Sequence, residues 1–148
     1  MNAAVAKSIG GRYALRFVVL MIVIVDFFLM LRETAGDFAN GMLFFLAAVI
    51  TWPVVIGVAL LLVSAWAMGR RAGVEILIKG KDYAKVGFTC GLIESALLLA
   101  WIAIVFATNG TLQLFAGAFW QLALSIIIPL TIAWLLAAWG IFKKKAVI

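Results

Sequence analysis

Two acidic residues interrupt long apolar stretches of the sequence, and they are the candidates for chemistry. Asp26 lies in VVLMIVIVDFFLML and Glu94 in GLIESALLLAW. A carboxylate at the centre of a membrane span costs at least about 2.5–3.5 kcal/mol on insertion scales, so such an acid is a functional candidate by default. Either acid could bind a proton or a cation. The alternative is a protonated acid that hydrogen-bonds a neighbouring helix and only holds helices together.

Polar partners for these acids are available in the last apolar segment. Counting about 1.5 Å per residue places Gln121 at the depth of Asp26 and Trp134 at the depth of Glu94. We therefore predict an Asp26–Gln121 hydrogen bond if the first and last helices touch. We also predict that the Trp134 indole N–H can donate to Glu94. Asp26, Glu94, Gln121 and Ser125 are the proton- or cation-binding candidates.

Other kinds of site are excluded by residue types. The chain has no histidine and one cysteine, Cys90. It therefore cannot form an internal disulfide, a His/Cys metal cluster or a cysteine–histidine nucleophile pair. It also lacks HExxH and a glycine-rich phosphate loop, which are the motifs of metalloproteases and nucleotide-binding proteins. We predict no metal, no cofactor and no enzymatic activity, and we expect Cys90 to pack as a small apolar residue.

The composition determines the elements that must position these residues. Of 148 residues, 68% are hydrophobic and 12% charged, with a mean hydropathy of +1.25. A soluble domain is about half apolar. About 20 apolar residues cross the hydrocarbon layer of a membrane. We predict an all-α membrane protein, one domain over 1–148 made of two helical hairpins, with spans at about 13–31, 41–68, 86–108 and 112–142.

The basic residues predict how these helices are oriented. Eleven of the twelve fall in residues 7–16, 70–85 and 143–145, and only Arg32 lies in the other set of loops. The positive-inside rule then places both termini and the basic linker 69–85 in the cytoplasm, and we expect a bacterial inner membrane. The net charge of +6 flanks apolar runs. It therefore indicates contact with anionic lipid rather than with nucleic acid.

Two features of the linker and the start of the chain leave alternatives open. The apolar residues Val74, Ile76, Leu77 and Ile78 predict either a segment lying on the inner leaflet or an ordinary loop. Residues 1–12 are expected to be a frayed start. A signal peptide is the rival interpretation of the first apolar run, although no clear cleavage site follows it.

Small residues at every fourth position predict close helix contacts. In the third helix they are Gly87, Gly91 and Ser95, which pack within the chain or, alternatively, pair two protomers. The fourth helix carries a longer row that should face the bundle interior: Gly117, Gln121, Ser125, Pro129, Ala133 and Ala137. The first helix is bulky all round, so we expect it to face lipid or a partner.

The two halves of the chain resemble each other. Each has a tyrosine at the cytoplasmic entry of its first helix (Tyr13, Tyr83), an acid within that helix and a proline in the second (Pro53, Pro129). We expect Pro53 to kink the second helix, because it removes a backbone hydrogen bond. The similarity predicts a parallel internal repeat. The alternative is that any basic-ended hairpin reproduces part of the pattern.

Two classes of function are consistent with these features. The first is a small integral subunit or accessory protein of a larger membrane complex, without catalysis of its own. The second is a small oligomeric transporter or channel that uses Asp26 and Glu94 to couple to protons or cations. Four helices rarely enclose a wide path, so the second class needs at least a dimer. Expected partners are lipid, other membrane subunits or a second copy.

Overall fold

The described part of the chain is helical apart from short connections. The computed structural model describes residues 2–33 and 51–145. They form four α-helices: α1 (Ala3–Glu33), α2 (Trp52–Leu77), α3 (Tyr83–Thr108) and α4 (Leu112–Lys145). Each helix is long and apolar enough to cross a membrane. This confirms the prediction of an all-helical chain with four such helices, although residues 41–50 of the second predicted span lie outside the described residues.

Helix α1 begins earlier than the sequence suggests. Residues 3–12 are helical, so the expectation of a frayed start is wrong. The side-chain oxygen of Asn2 accepts a hydrogen bond from the amide of Ala4 at 3.1 Å, as a helix-capping asparagine does. Ala6 is fully buried. Packing of this first part of α1 against α2 supplies stability that the local sequence does not.

Helix α2 extends through most of the predicted basic linker. Residues 69–77 continue the helix, and only 78–82 connect it to α3. Ile76 and Leu77 are buried in the core. The linker is therefore neither a loop nor a separate surface segment over most of its length. Its non-helical part contains Gly80 with φ 66°, a left-handed conformation that glycine adopts without steric cost.

The position of Pro53 also differs from the prediction. Thr51 is extended, and α2 begins at Trp52, so Pro53 occupies the first turn. Proline loses no helical hydrogen bond there and does not kink the helix. The Pro53 carbonyl oxygen accepts a hydrogen bond from the indole of Trp101 on α3 at 3.0 Å. This hydrogen bond connects the start of α2 to the C-terminal half of α3.

The four helices gather their core at one end of the bundle. Helix α1 packs on α2, α3 packs on α4, and α1 also contacts α4. We call the end where α1 and α3 begin, and α2 and α4 end, the basic end, because most of the lysines and arginines lie there. The buried cluster is made mainly of small and aliphatic residues: Ala6, Ala14, Val18, Ala65, Ala72, Ile76, Leu77, Val86, Trp134, Ala138 and Ile141.

Backbone contact between glycines joins α1 to α2. A Cβ atom added to Gly10 would overlap the carbonyl oxygen of Gly69, and one added to Gly73 would overlap the carbonyl oxygen of Ala6. The sequence interpretation missed this contact, since it assigned Gly10 to a frayed start and the other glycines to a linker. The signal was present: Ala6, Gly10 and Ala14 recur at every fourth position, as do Gly69 and Gly73.

The small-residue row of the third helix packs against α4 of the same chain. A Cβ atom on Gly87 would lie 2.9 Å from the carbonyl oxygen of Trp134, and one on Gly91 would lie 2.8 Å from Cα of Thr131. Ser95 is also buried, and its hydroxyl donates to the carbonyl oxygen of Gly91 at 2.7 Å. In this structure the contact is intramolecular.

The row of the fourth helix does not stay on one face. Ala133 and Ala137 are buried, but Gln121 and Ser125 are exposed. A Cβ atom on Gly117 would meet no described residue within 4 Å. Residues four apart are offset by about 40° around a helix of 3.6 residues per turn. Over the five steps from Gly117 to Ala137 the row therefore turns away from the buried face of α4. The expectation that the whole row faces the bundle interior is wrong.

Helix α1 is exposed over only part of its length. Its far half presents bulky residues to the surroundings, among them Leu20, Val23 and Phe28, the last with 66% of its surface exposed. Ala14 and Val18 in the other half are completely buried. The expectation that α1 faces lipid or a partner therefore fits its far half, while its basic half belongs to the core.

Candidate functional site

Glu94 lies where α2, α3 and α4 meet. Its surface is 0% exposed. Gly91, one turn earlier on α3, allows α4 to approach closely, and this approach brings the indole of Trp134 to the carboxyl group. Trp134 is itself fully buried. On the other side, Ser64 is a polar residue in the apolar segment ALLLVSAWAM of α2.

Both oxygens of the Glu94 carboxyl group have a hydrogen-bond partner. The indole Nε1–H of Trp134 donates to Oε2, which confirms the pairing predicted from depth. The hydroxyl of Ser64 donates to Oε1 at 3.0 Å. Ser64 was missed at the sequence level. A single serine within an apolar helix was the available signal, because such a hydroxyl commonly bonds across helices in a membrane.

If Glu94 is neutral, every O–H and N–H group around it still has a hydrogen-bond acceptor. The Ser64 hydroxyl oxygen also lies 3.0 Å from the carbonyl oxygen of Leu61 in its own helix. One hydroxyl has a single proton and can donate to only one acceptor at a time. When Glu94 carries a proton on Oε1, that O–H can donate a hydrogen bond to the Ser64 oxygen, and the Ser64 hydroxyl can donate to the carbonyl oxygen of Leu61. Trp134 then donates to the remaining carboxyl oxygen.

Within residues 2–33 and 51–145, no cationic side chain forms an ion pair with Glu94. The ion pairs among the described residues join Glu75 to Arg71 and Lys81 at the basic end. A buried carboxylate without a counter-charge is strongly disfavoured, since desolvation is not repaid by an ion pair. Burial and the absence of a described cation nearby therefore favour a neutral acid. Its hydrogen bonds to Ser64 and Trp134 hold α2, α3 and α4 together.

Asp26 lies in a different environment. It is half-buried in the far half of α1, and within the described residues it makes no hydrogen bond or ion pair. The predicted bond to Gln121 is absent, because Gln121 is exposed and α1 meets α4 closely at the basic end, where Tyr13 packs on Gly140. The stretch 34–50 contains no lysine or arginine, so it cannot supply a counter-cation either.

The structure therefore does not bring the four candidates into one site. Glu94 bonds to Trp134 and Ser64, which are not among the four candidates, and Asp26 lies apart from Glu94. The hydroxyl of Ser125 is exposed and donates to the carbonyl oxygen of Leu122 at 2.9 Å, within its own helix. Among the described residues, no group of three or more acidic or cysteine side chains is arranged to hold a metal ion.

Comparisons with known proteins add no assignment. No protein-family model, curated protein or solved structure matches the chain. Only the geometry of the two acids and of the helix surfaces bears on what the protein does.

Proposed function

We propose that this protein is a small integral subunit or accessory protein of a larger membrane complex, without catalysis of its own. The observation that carries the proposal is Asp26. An acid at this depth in an apolar helix needs a polar partner, and the described residues supply none. It lies between exposed bulky residues of α1, including Val23 and Phe27. A polar or basic side chain from a neighbouring subunit would satisfy it.

The state of Glu94 supports the same proposal. A residue that transfers protons or cations must be reached by them, usually through water-filled cavities. Glu94 exposes no surface and both of its oxygens are engaged. Both features are typical of an acid that holds helices together rather than of one that transfers protons or cations. The alternative function, an oligomeric proton- or cation-coupled transporter or channel using Asp26 and Glu94, requires an opening that reaches Glu94.

We further propose that the basic end faces the cytoplasm, with both termini on that side of a bacterial inner membrane. The clustering of eleven of twelve basic residues supports this orientation, since positively charged loops remain in the cytoplasm. The parallel internal repeat also stays a proposal. In its favour, both hairpins pack through glycines near the basic end, at Gly69 and Gly73 in one and Gly87 and Gly91 in the other.

Partner capture with Asp26 variants tests the proposed function. Tagged protein would be extracted from its native membrane in mild detergent, and stoichiometric partners would be identified by mass spectrometry. We expect a membrane partner that Asp26→Leu loses and Asp26→Asn retains, because asparagine still hydrogen-bonds. Ile24→Leu, a change at an exposed apolar position of α1, is the matched control. A homodimer alone, with pH-dependent ion flux in liposomes, would establish the transporter instead.

A further inference from the structure

An open groove lies between the end of α2 and the start of α3. It has a volume of about 710 Å³. Its charged lining residues are Arg71 and Glu75 on α2, Lys81 and Asp82 in the connection, and Lys85 on α3. We call it the α2/α3 groove. It exists because these two helices diverge here: α3 packs mainly on α4, and α2 mainly on α1.

The charges at the mouth of the groove leave a positive excess. Glu75 lies 3.5 Å from Arg71 Nε and 3.3 Å from Lys81 Nζ, so its charge is shared between two cations. Asp82 also lines the groove, and its carboxylate accepts a hydrogen bond from a backbone amide at the start of α3. Lys85 has no ion-pair partner among the described residues and remains available to an anion.

Further cations surround this mouth. Lys145, at the end of α4, reaches within 3.8 Å of the position that a Cβ atom would take on Gly80. Lys7, Arg70 and Lys79 line a neighbouring recess, which shares Arg71 and Glu75 with the groove. Summed charges of one sign raise the local concentration of the opposite charge. The mouth of the α2/α3 groove is therefore suited to a negatively charged group.

The rest of the groove is mainly apolar. Thr89 also lines it, and its hydroxyl donates to the carbonyl oxygen of Lys85 at 2.8 Å. Its lining continues along α3 from Val86 through Cys90 to Ile93, opposite Met68 on α2. From Lys85 to Ile93 is about 12 Å at 1.5 Å per residue. The groove thus changes from charged to apolar along the helix axes. A phospholipid in a bilayer changes from charged headgroup to acyl chain in the same direction.

We propose that the α2/α3 groove binds an anionic phospholipid. Its phosphate contacts Lys81, Lys85 and Arg71, and one acyl chain lies along α3 to Ile93. Basic pockets between transmembrane helices are a known way of holding anionic headgroups. The apolar floor favours a lipid over a soluble anion, and the positive mouth favours an anionic over a zwitterionic lipid. The proposal is independent of the function proposed above.

Lipid retention measured by native mass spectrometry tests the headgroup contacts. Full-length protein in mild detergent would be titrated with phosphatidylglycerol or phosphatidylcholine. We expect the protein to retain phosphatidylglycerol in preference to phosphatidylcholine. The double variant Lys81→Gln/Lys85→Gln should bind phosphatidylglycerol roughly 30-fold more weakly, because each lysine contributes about fivefold in affinity. Lys143→Gln/Lys144→Gln removes the same charge at the end of α4, outside the groove lining, and should change affinity little. Far-UV circular dichroism would verify that both variants fold.

Two further measurements test the acyl-chain contact. Phosphatidylglycerol with a diazirine on one acyl chain should crosslink within residues 86–93. Ile93→Trp, which fills the floor without changing charge, should weaken retention. The proposal is overturned if the groove and control variants lose lipid equally, since attraction is then diffuse. It is also overturned if the groove variant binds like wild type, if inorganic phosphate displaces the lipid, or if crosslinks fall on other helix faces.

Discussion

The indole Nε1–H of Trp134 on α4 donates to Oε2 of Glu94 on α3, and Ser64 on α2 holds the other carboxyl oxygen at 3.0 Å. One acid thus links three helices inside the membrane-spanning part of the chain. A neutral carboxyl group can also bond to both residues, because it can donate to the Ser64 oxygen while the Ser64 hydroxyl donates to the Leu61 carbonyl oxygen. Glu94 therefore connects the three helices through hydrogen bonds. The contribution of these bonds to stability can be measured separately from that of a negative charge.

The first prediction compares two replacements of Glu94. Glu94→Gln keeps a donor for Ser64 and an acceptor for Trp134, so stability should be close to that of wild type. Glu94→Leu leaves the indole N–H buried without an acceptor, at a cost of about 1–3 kcal/mol. Thermal unfolding in detergent measures both. Equal stability of the two variants would show that the hydrogen bonds contribute nothing, and a destabilised Gln variant would show that the charge matters.

The second prediction concerns the coupling between Trp134 and Glu94. Trp134→Phe removes the N–H donor while keeping an aromatic ring, and it should destabilise the protein by about 1–3 kcal/mol. In a Glu94→Leu background the same change should cost less, because the acceptor is already gone. A double-mutant cycle of unfolding free energies should give a coupling of about 0.5–3 kcal/mol. Simple additivity would mean that the indole contributes only by packing.

The third prediction concerns the glycine contact between α1 and α2. Gly10→Ala places a Cβ atom against the Gly69 carbonyl oxygen, and we expect a loss of about 1–3 kcal/mol from overpacking. Gly117→Ala is the matched control, since its Cβ atom meets no described residue. That change should stabilise α4 by about 0.5–1 kcal/mol, because alanine is the better helix former. Thermal unfolding in detergent measures the stability of both variants. Similar changes in their unfolding temperatures would refute the close contact between α1 and α2.

What the sequence predicted and what it missed have a common physical origin. Hydropathy and a fixed rise per residue give the depth of a side chain, so the Trp134–Glu94 bond was predictable. Depth does not give the direction in which a side chain points around its helix. Asp26 and Gln121 were matched by depth alone and do not bond. Gly10 was missed because the composition of residues 1–12 suggested a frayed start, although the four-residue spacing of Ala6, Gly10 and Ala14 indicated a helix contact.

The last prediction concerns orientation. Asn109 and Lys79 are exposed and lie just beyond opposite ends of α3, a helix of 26 residues and therefore about 39 Å long. In a Cys90→Ala background, which removes the native thiol, Asn109→Cys should react with an impermeant maleimide in intact cells. Lys79→Cys should react only after permeabilisation if, as proposed above, the basic end faces the cytoplasm. The reverse pattern would invert the orientation. Labelling of both sites in intact cells would mean that α3 does not cross the membrane.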